Sequence, residues 1–411
     1  MRREASVEYE LECVFFTCLL MYLCRLGARQ MVSSNLRDGS SEMAGLYSLL
    51  FDYEGVPHGD TVNNLLCRVD VDQVQGCVHN MVKSLVRKKV LYNGRLMGKW
   101  YMLAIDGTWV MSSKRRHCDH CLTVTHGDST TYYHPVLEAK IVLPSGLAIS
   151  VMSEFVENDV PGAGKQDCEL KALYRLLGRL KEAFAQMDFC LLLDGLYPNG
   201  EVLQTCKDND WAYIIVLKDD QLGSVQEEYK SLLQLEPTNR LNPPREKGSS
   251  KTSEYRWASN IAYRDTKGRD HIVHVVECGQ TDAGKTTKFK SITNIKPSKG
   301  NVQVLCEAGR CRWKIENEGF NVQKNQGYRL EHAYTRDPNG WKVFYLVLQM
   351  ATIIEQLLRK SNLLSKELIK SAKSSKNLAA KLLEALRNYA LSVDTYKDLL
   401  AQRIQIRIDS T

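Results

Sequence analysis

The sequence predicts an α/β protein: a mixed sheet flanked by helices, with a helical N-terminal segment, a β-rich insertion and C-terminal helices. Three observations carry this reading. From Trp100 onward, short apolar runs and amphipathic stretches succeed one another as three strands, helix, strand, helix, strand. The residues before Trp100 read as helices joined by polar loops, and a long β-rich section after Asp219 separates the strands from the next helical stretch.

Taken in order, "CVFFTCLLMYLC" reads as a buried helix. It is interrupted by Arg25 and is too short to cross a bilayer, which needs roughly 20 apolar residues. A basic connection leads to "MAGLYSLLF" and "VDQVQGCVHNMVKSLVRKKVL", which complete a helical domain over 1–98. "WYMLAID" is a strand ending in an acid, and "YYHPVLEAKIVL" and "LAISVMSEFV" flank the turn "PSG" as a hairpin. "QDCELKALYRLLGRLKEAF" spaces its apolar residues as an amphipathic helix does, and "MDFCLLLD" is a buried strand that again ends in an acid. A short helix "NGEVLQTCKDND" and a strand "AYIIVLK" come next. The central domain covers 99–340, with the β-rich insertion at about 220–300. Helix returns at "VLCEAGRCRWKIENEGFNVQKN", and 341–411 reads as a basic helical region. No repeat of solenoid length is present.

Lys and Arg exceed Asp and Glu by 55 to 48, an excess that points to a polyanion only where it is concentrated. It is concentrated in "KSLVRKKVLYNGRLMGKW", at Lys114, Arg115 and Arg116, and in the tail from Ala351. The 13 cysteines are scattered, several inside apolar runs, with no secretory signal before them. Reduced thiols in an intracellular protein are expected.

"GQTDAGKTT" satisfies the phosphate-binding pattern G-x-x-x-x-G-K-[ST] at Gly279, Gly284, Lys285 and Thr286. Such a loop works by aiming a helix N-terminus at the phosphates. The next stretch of chain, "KFKSITNIKPSKG", is instead rich in β-branched residues and broken by Pro297. The pattern therefore reads as a polar turn between two strands of a hairpin, and no nucleotide cofactor is expected.

Two acids end buried strands, Asp106 in "AIDGT" and Asp194 in "LLLDGLYPNG", each with glycine as the next residue. Open α/β sheets build their sites at the carboxyl ends of strands, and glycine lets another group approach the backbone. Asp-Gly is also a plain turn former. A third acid, Glu316, shares a helix face with Arg312, Phe320 and Lys324. An exposed salt-bridge ladder is the alternative, and Glu318 fits that better than Glu316. Three acids from two strands and a helix offer hard oxygen ligands suited to Mg²⁺ or Mn²⁺. Two such ions about 4 Å apart would stabilise the attacking and leaving oxygens of an in-line displacement at phosphorus.

With this order of elements, "AIDGT", "LLLDGLY" and "GRCRWKIENEGFN" together resemble the DDE transposases of bacterial insertion sequences, in the ribonuclease H-like superfamily. The likeness is to the group with a β-rich insertion before the catalytic glutamate, and it extends to "KQDCE" and "NQGYRLEHAY". The resemblance implies that Asp106, Asp194 and Glu316 hold two Mg²⁺ or Mn²⁺ ions and that Arg312 and Lys324 contact DNA phosphate. Two positions depart from it: Gly309 stands where a tyrosine is expected, and Lys324 falls one residue beyond the usual lysine.

By the same resemblance, water frees a 3′-hydroxyl at the element's end and that hydroxyl attacks a target strand. The implied partners are double-stranded DNA, as terminal inverted repeats and as target, and a second copy of the chain; the implied location is the cytoplasm, at the nucleoid, with no membrane. Lys114, Arg115 and Arg116 would contact the DNA backbone, with an affinity that falls steeply with salt. Lys285 and Lys288 are weaker candidates for the same contact, and Trp257 is expected to pack rather than to stack on DNA. A nuclease without strand transfer and an inactive DNA-binding relative are the alternatives; the intact triad argues against the second.

Cys118 and Cys121 have zinc-knuckle spacing, with His117, His120 and His126 close by. A structural zinc needs further ligands, for which Cys168, Cys306 and Cys311 are candidates. The acids of "KQDCE" open a helix and complement its dipole, a reading preferred to a fourth metal ligand.

Overall fold

The structure, a computed structural model, describes residues 9–38, 40–53, 55–158, 166–245 and 250–408. Lys165 of "KQDCE" lies outside the described residues.

Ten strands among the described residues form one sheet. They are β1 (Tyr101–Ser113), β2 (Leu122–His126), β3 (Ser129–Val142), β4 (Ala148–Phe155), β5 (Phe189–Leu193), β6 (Ala212–Val216), β7 (Arg240–Leu241), β8 (Thr252–Arg264), β9 (Asp270–Asp282) and β10 (Lys285–Thr293). Their order is β2-β3-β1-β5-β6-β10-β9-β8-β7, with β4 also on β3. β1 runs antiparallel to β3 and parallel to β5, and β5 runs parallel to β6. The segment β4-β3-β1-β5-β6 is the expected ribonuclease H-like sheet. The insertion continues it, because β10 pairs antiparallel with β6. Strand β2 and the helix Gly223–Leu235, which opens the insertion expected to be β-rich, are elements the sequence reading lacked. The "LTVTH" of β2 is exposed toward its end, so no apolar alternation marks it.

The central strands are buried on both faces, which is why they read as unbroken apolar runs. On one face, Leu103, Ile105, Leu191, Leu193 and Ile215 share a core with Leu173, Leu176 and Leu180 of the helix Glu169–Ala183. On the other, Met102, Ala104, Cys190, Leu192 and Ile214 share a core with Val302, Leu305 and Cys306 of the helix Val302–Arg310. Trp257 is buried in this second core, in the packing role expected of it.

The phosphate-loop pattern lies in a β-hairpin. β9 and β10 pair from Asp282↔Lys285 inward. The two residues between them, Ala283 and Gly284, have φ of +48° and +80°, as a two-residue hairpin turn with both centres left-handed requires. The chain after Lys285 is strand, so no helix N-terminus faces this turn.

The helix Gly340–Lys360 is buried along most of its length against the helices Leu11–Leu23 and Val71–Arg87 and against β4. Among the described helices it alone is long and apolar enough to cross a membrane, and it is enclosed by the protein. The cations of the tail therefore begin only near its end, at the partly buried Arg359 and Lys360.

One buried group makes this packing sensitive to acid. His79, on the helix Val71–Arg87, meets the Phe184 ring edge-on at 5.2 Å, and its Nε2 is buried without a partner. Burial first, then Lys83 and Arg179, lowers its pKa to about 4. The unfolded chain then binds the proton more readily, so stability present above pH 6.5 is lost as the pH falls toward 4. Discounted for solvent screening, the loss is about 1–2 kcal/mol. Urea unfolding at pH 7.5 and 5 should show this difference in the wild type and a smaller one in His79→Leu; equal differences would exclude His79 as the cause.

Candidate active site

The end of β5 and the middle of β1 bring two acids together: Asp106 does not end its strand as expected, because β1 runs on to Ser113 paired with β3, but it lies just past the point where the pairing of β1 with β5 stops. The strands pair in register at Ala104↔Leu192, and the same offset places Asp106 beside Asp194, where adjacent strands lie about 4.8 Å apart. The Gly107 amide donates to Asp106 Oδ1 at 3.0 Å, and the Leu196 amide to Asp194 Oδ1 at 2.7 Å.

The third acid arrives on a helix that changes its winding. After Val302–Arg310 the chain tightens into a 3₁₀ turn at Cys311–Trp313 and then widens into a π-helical turn at Ile315–Phe320. Such π turns recur at functional sites, where they re-aim a side chain. Here Ile315 and Phe320 are buried and Glu316, between them, is left partly exposed. Arg312 is buried, with Nη1 at 3.0 Å from Asp106 Oδ2 and 3.5 Å from Glu316 Oε1. The structure thus joins Asp106, Arg312 and Glu316 directly and sets Asp194 just past the end of the neighbouring strand β5. Burial, and then the Glu316 carboxyl, push the Asp106 pKa up to about 7 against the pull of the Arg312 guanidinium. The site gathers more negative charge than its one close arginine offsets.

Residues 163–354 match the family model of the transposase DDE domain. That stretch, a little under half of the chain, is similar to a transposase DDE domain. No curated protein matches the chain. The matched segment includes Asp194, Arg312 and Glu316, and Asp106 lies before it. At family level a DDE transposase acts in transposition-related DNA cleavage and uses divalent metal ions.

The site holds a fourth carboxylate that the sequence reading assigned to capping. Glu169 does stand in the first turn of its helix, but its carboxylate accepts a hydrogen bond from the Tyr197 hydroxyl. Its Oε2 lies 2.8 Å from where a Cβ on Gly107 would stand, so glycine is needed there. Burial raises the Glu169 pKa, and the Asp194 charge adds to the rise. Asp167 faces away, paired with Arg175 at 2.7 Å. Lys218 is a second residue not singled out in the sequence. Its methylenes lie 2.6–2.9 Å from where a Cβ on Gly195 would be, bringing an exposed cation beside the Asp194 turn.

The other expected contacts lie farther out. Lys324 pairs with Glu331 at 2.9 Å and makes no ion pair with the triad. Lys114, Arg115 and Arg116 are exposed on the loop after β1, where Ser113 Oγ accepts from the amides of Arg115 and Arg116. At Gly309 a Cβ would meet Ile214 Cγ2 at 3.1 Å. The close approach of this helix to β6 explains why glycine replaces the expected tyrosine. Of the expected zinc ligands, Cys118 and Cys121 converge with His134. Cys168 is exposed, Cys306 and Cys311 are buried in the second core, and the His120 ring is bonded to the Asn158 carbonyl.

Proposed function

We propose that the chain is the transposase of an insertion sequence, cutting DNA at the element's ends and joining the freed 3′ ends to a target strand. The single observation that supports this most is the gathering of Asp106 and Glu316 on Arg312, with Asp194 at the end of β5 beside the point on β1 where the parallel pairing stops. The donor set fits divalent cations: three hard oxygen ligands, one of them with its pKa raised by burial and then by the neighbouring Glu316 carboxyl. In this reading Asp106, Asp194 and Glu316 would hold two Mg²⁺ or Mn²⁺ ions. Such ions, when bound, stabilise charge on the attacking and leaving oxygens of an in-line displacement.

The chain's own side chains do the positioning. Arg312 holds the Asp106 and Glu316 carboxylates through Nη1, and its buried Nε has no partner, leaving a donor for a phosphate oxygen. The Tyr197 hydroxyl fixes Glu169 against Gly107 and so limits how far the Asp106 backbone can shift. Lys114, Arg115 and Arg116, with the cations of the tail, bind the DNA backbone without reading bases. Two ends must be processed together, so a homodimer is the working assembly.

The test is to incubate the full chain with Mg²⁺ and DNA carrying the ends that flank its coding sequence, and to separate the products on a denaturing gel. A nick at the element's 3′ end and then a joined product are expected. Cleavage without any joined product would replace this reading by that of a nuclease.

A further inference from the structure

We propose that Cys118, Cys121 and His134 hold a structural Zn²⁺ that pins the β1–β2 loop to β3. Cys118 Sγ and Cys121 Sγ are 3.5 Å apart, and each lies 3.2 Å from His134 Nε2. A tetrahedral zinc with ordinary bond lengths needs about 3.7 Å between sulfurs and about 3.6 Å between sulfur and nitrogen. The three ligand atoms therefore form a triangle that only has to open by a few tenths of an ångström to take the ion. Histidine at this position arrives from another strand, since His134 pairs with Met111 across β3 and β1.

The surroundings are those of a ligand set. The Cys118 amide donates to Cys121 Sγ at 3.3 Å, a bond that favours a thiolate. His134 Nδ1 and Glu157 Oε1 face each other at 3.8 Å, and both are buried without a hydrogen-bond partner. With Nε2 on a metal, Nδ1 carries the proton and points it at Glu157, the carboxylate–histidine–metal arrangement that orients such ligands. Lys342 holds the other Glu157 oxygen, and Asn158 clamps the loop by donating to the Cys121 carbonyl. Cys118, Cys121 and His134 line one cavity together with Arg116, His117 and Tyr132, so the fourth coordination position would fall to water or to the His117 imidazole.

The same loop carries Lys114, Arg115 and Arg116. On the proposed DNA-binding role, on which this last step rests, the ion keeps those cations presented beyond the end of β1. Loss of zinc would then weaken DNA binding without touching the triad.

The experiment is elemental analysis of the full chain, expressed without a metal-binding tag in zinc-supplemented medium and purified without chelator. Roughly one zinc per chain is expected. The Cys118→Ser/Cys121→Ser variant should hold at least tenfold less, and His134→Cys, which restores a third soft ligand, should keep the ion. Wild-type protein with under about a tenth of an ion per chain overturns the site, as does a Cys118–Cys121 disulfide found by mass spectrometry. Because the wild-type measurement stands alone, a misfolded variant leaves the proposal testable. DNA binding, monitored by fluorescence anisotropy before and after zinc removal, tests the loop separately. Unchanged affinity overturns the role given to zinc while leaving the site, and neither result depends on cleavage or joining.

Discussion

Replacing Asp106 by Asn or Ala is expected to lower DNA cleavage by about 10³-fold or more, and Asp194→Ala and Glu316→Ala should do the same. Losing a ligand that stabilises several kcal/mol of transition-state charge converts to that factor at about 1.36 kcal/mol per tenfold. Stability should move differently. The Asp106 pKa is raised to about 7, above its unfolded value, so its ionised form is disfavoured in the fold. Without divalent ions this group opposes folding increasingly as the pH rises through the interval up to about 7. Asp106→Asn should therefore melt no lower than the wild type at pH 8 in a chelator, while binding element-end DNA with similar affinity. A variant of any of the three acids that keeps activity within about tenfold would remove that residue from the triad. A large drop in melting temperature for Asp106→Asn would make its role structural.

The parts of this site that could be read from sequence are those set by local pattern and burial. Asp106 and Asp194 stood out because "MLAI" and "FCLLL" are buried on both sheet faces, so a polar residue closing each run is conspicuous. The hairpin at Ala283–Gly284 was legible because a phosphate loop needs a helix after it and the chain supplies β-branched residues instead. The features that stayed hidden depend on partners distant in the chain. Glu169 resembles any first-turn acid until Tyr197 and Gly107 are seen beside it. His134 is one residue of a strand, and only the pairing of β3 with β2 and β1 carries it to Cys118 and Cys121. The helix Gly340–Lys360 is hidden in the basic composition of 341–411 because the cations lie mostly beyond it. Its own residues are a core stripe widened to nearly the full circumference.

Glu138→Ala is expected to cost about 3–5 kcal/mol of stability, among the largest effects of any substitution in the fold. Glu138 and Lys140 are fully buried on β3, 3.6 Å apart. Glu138 accepts from the Ser150 and Ser153 hydroxyls of β4 and from the Tyr345 hydroxyl. Lys140 donates to Gln349 Oε1 at 2.7 Å, and that same oxygen accepts from Gln323 at 2.8 Å. The network thus ties β3 and β4 to the helix Gly340–Lys360 and to Gln323, just beyond the turn that carries Glu316. Burial drives the Lys140 pKa down and the Glu138 charge draws it back up, so removing Glu138 leaves an ammonium in the core with no counter-charge. The Lys140 methylenes also lie 3.2–3.3 Å from where a Cβ on Gly319 would stand, so this side chain forms the floor of the π turn. Replacing both residues by Met removes the uncompensated charge and should recover most of the lost stability. It should not recover cleavage, because Met has no head group to bond Gln349 and hold the turn in place. Urea unfolding and the cleavage assay on the single and double variants separate the two effects. A Glu138→Ala loss below about 1 kcal/mol would mean the pair does not hold the core, and a stable, fully active double variant would show that Glu316 is positioned without it.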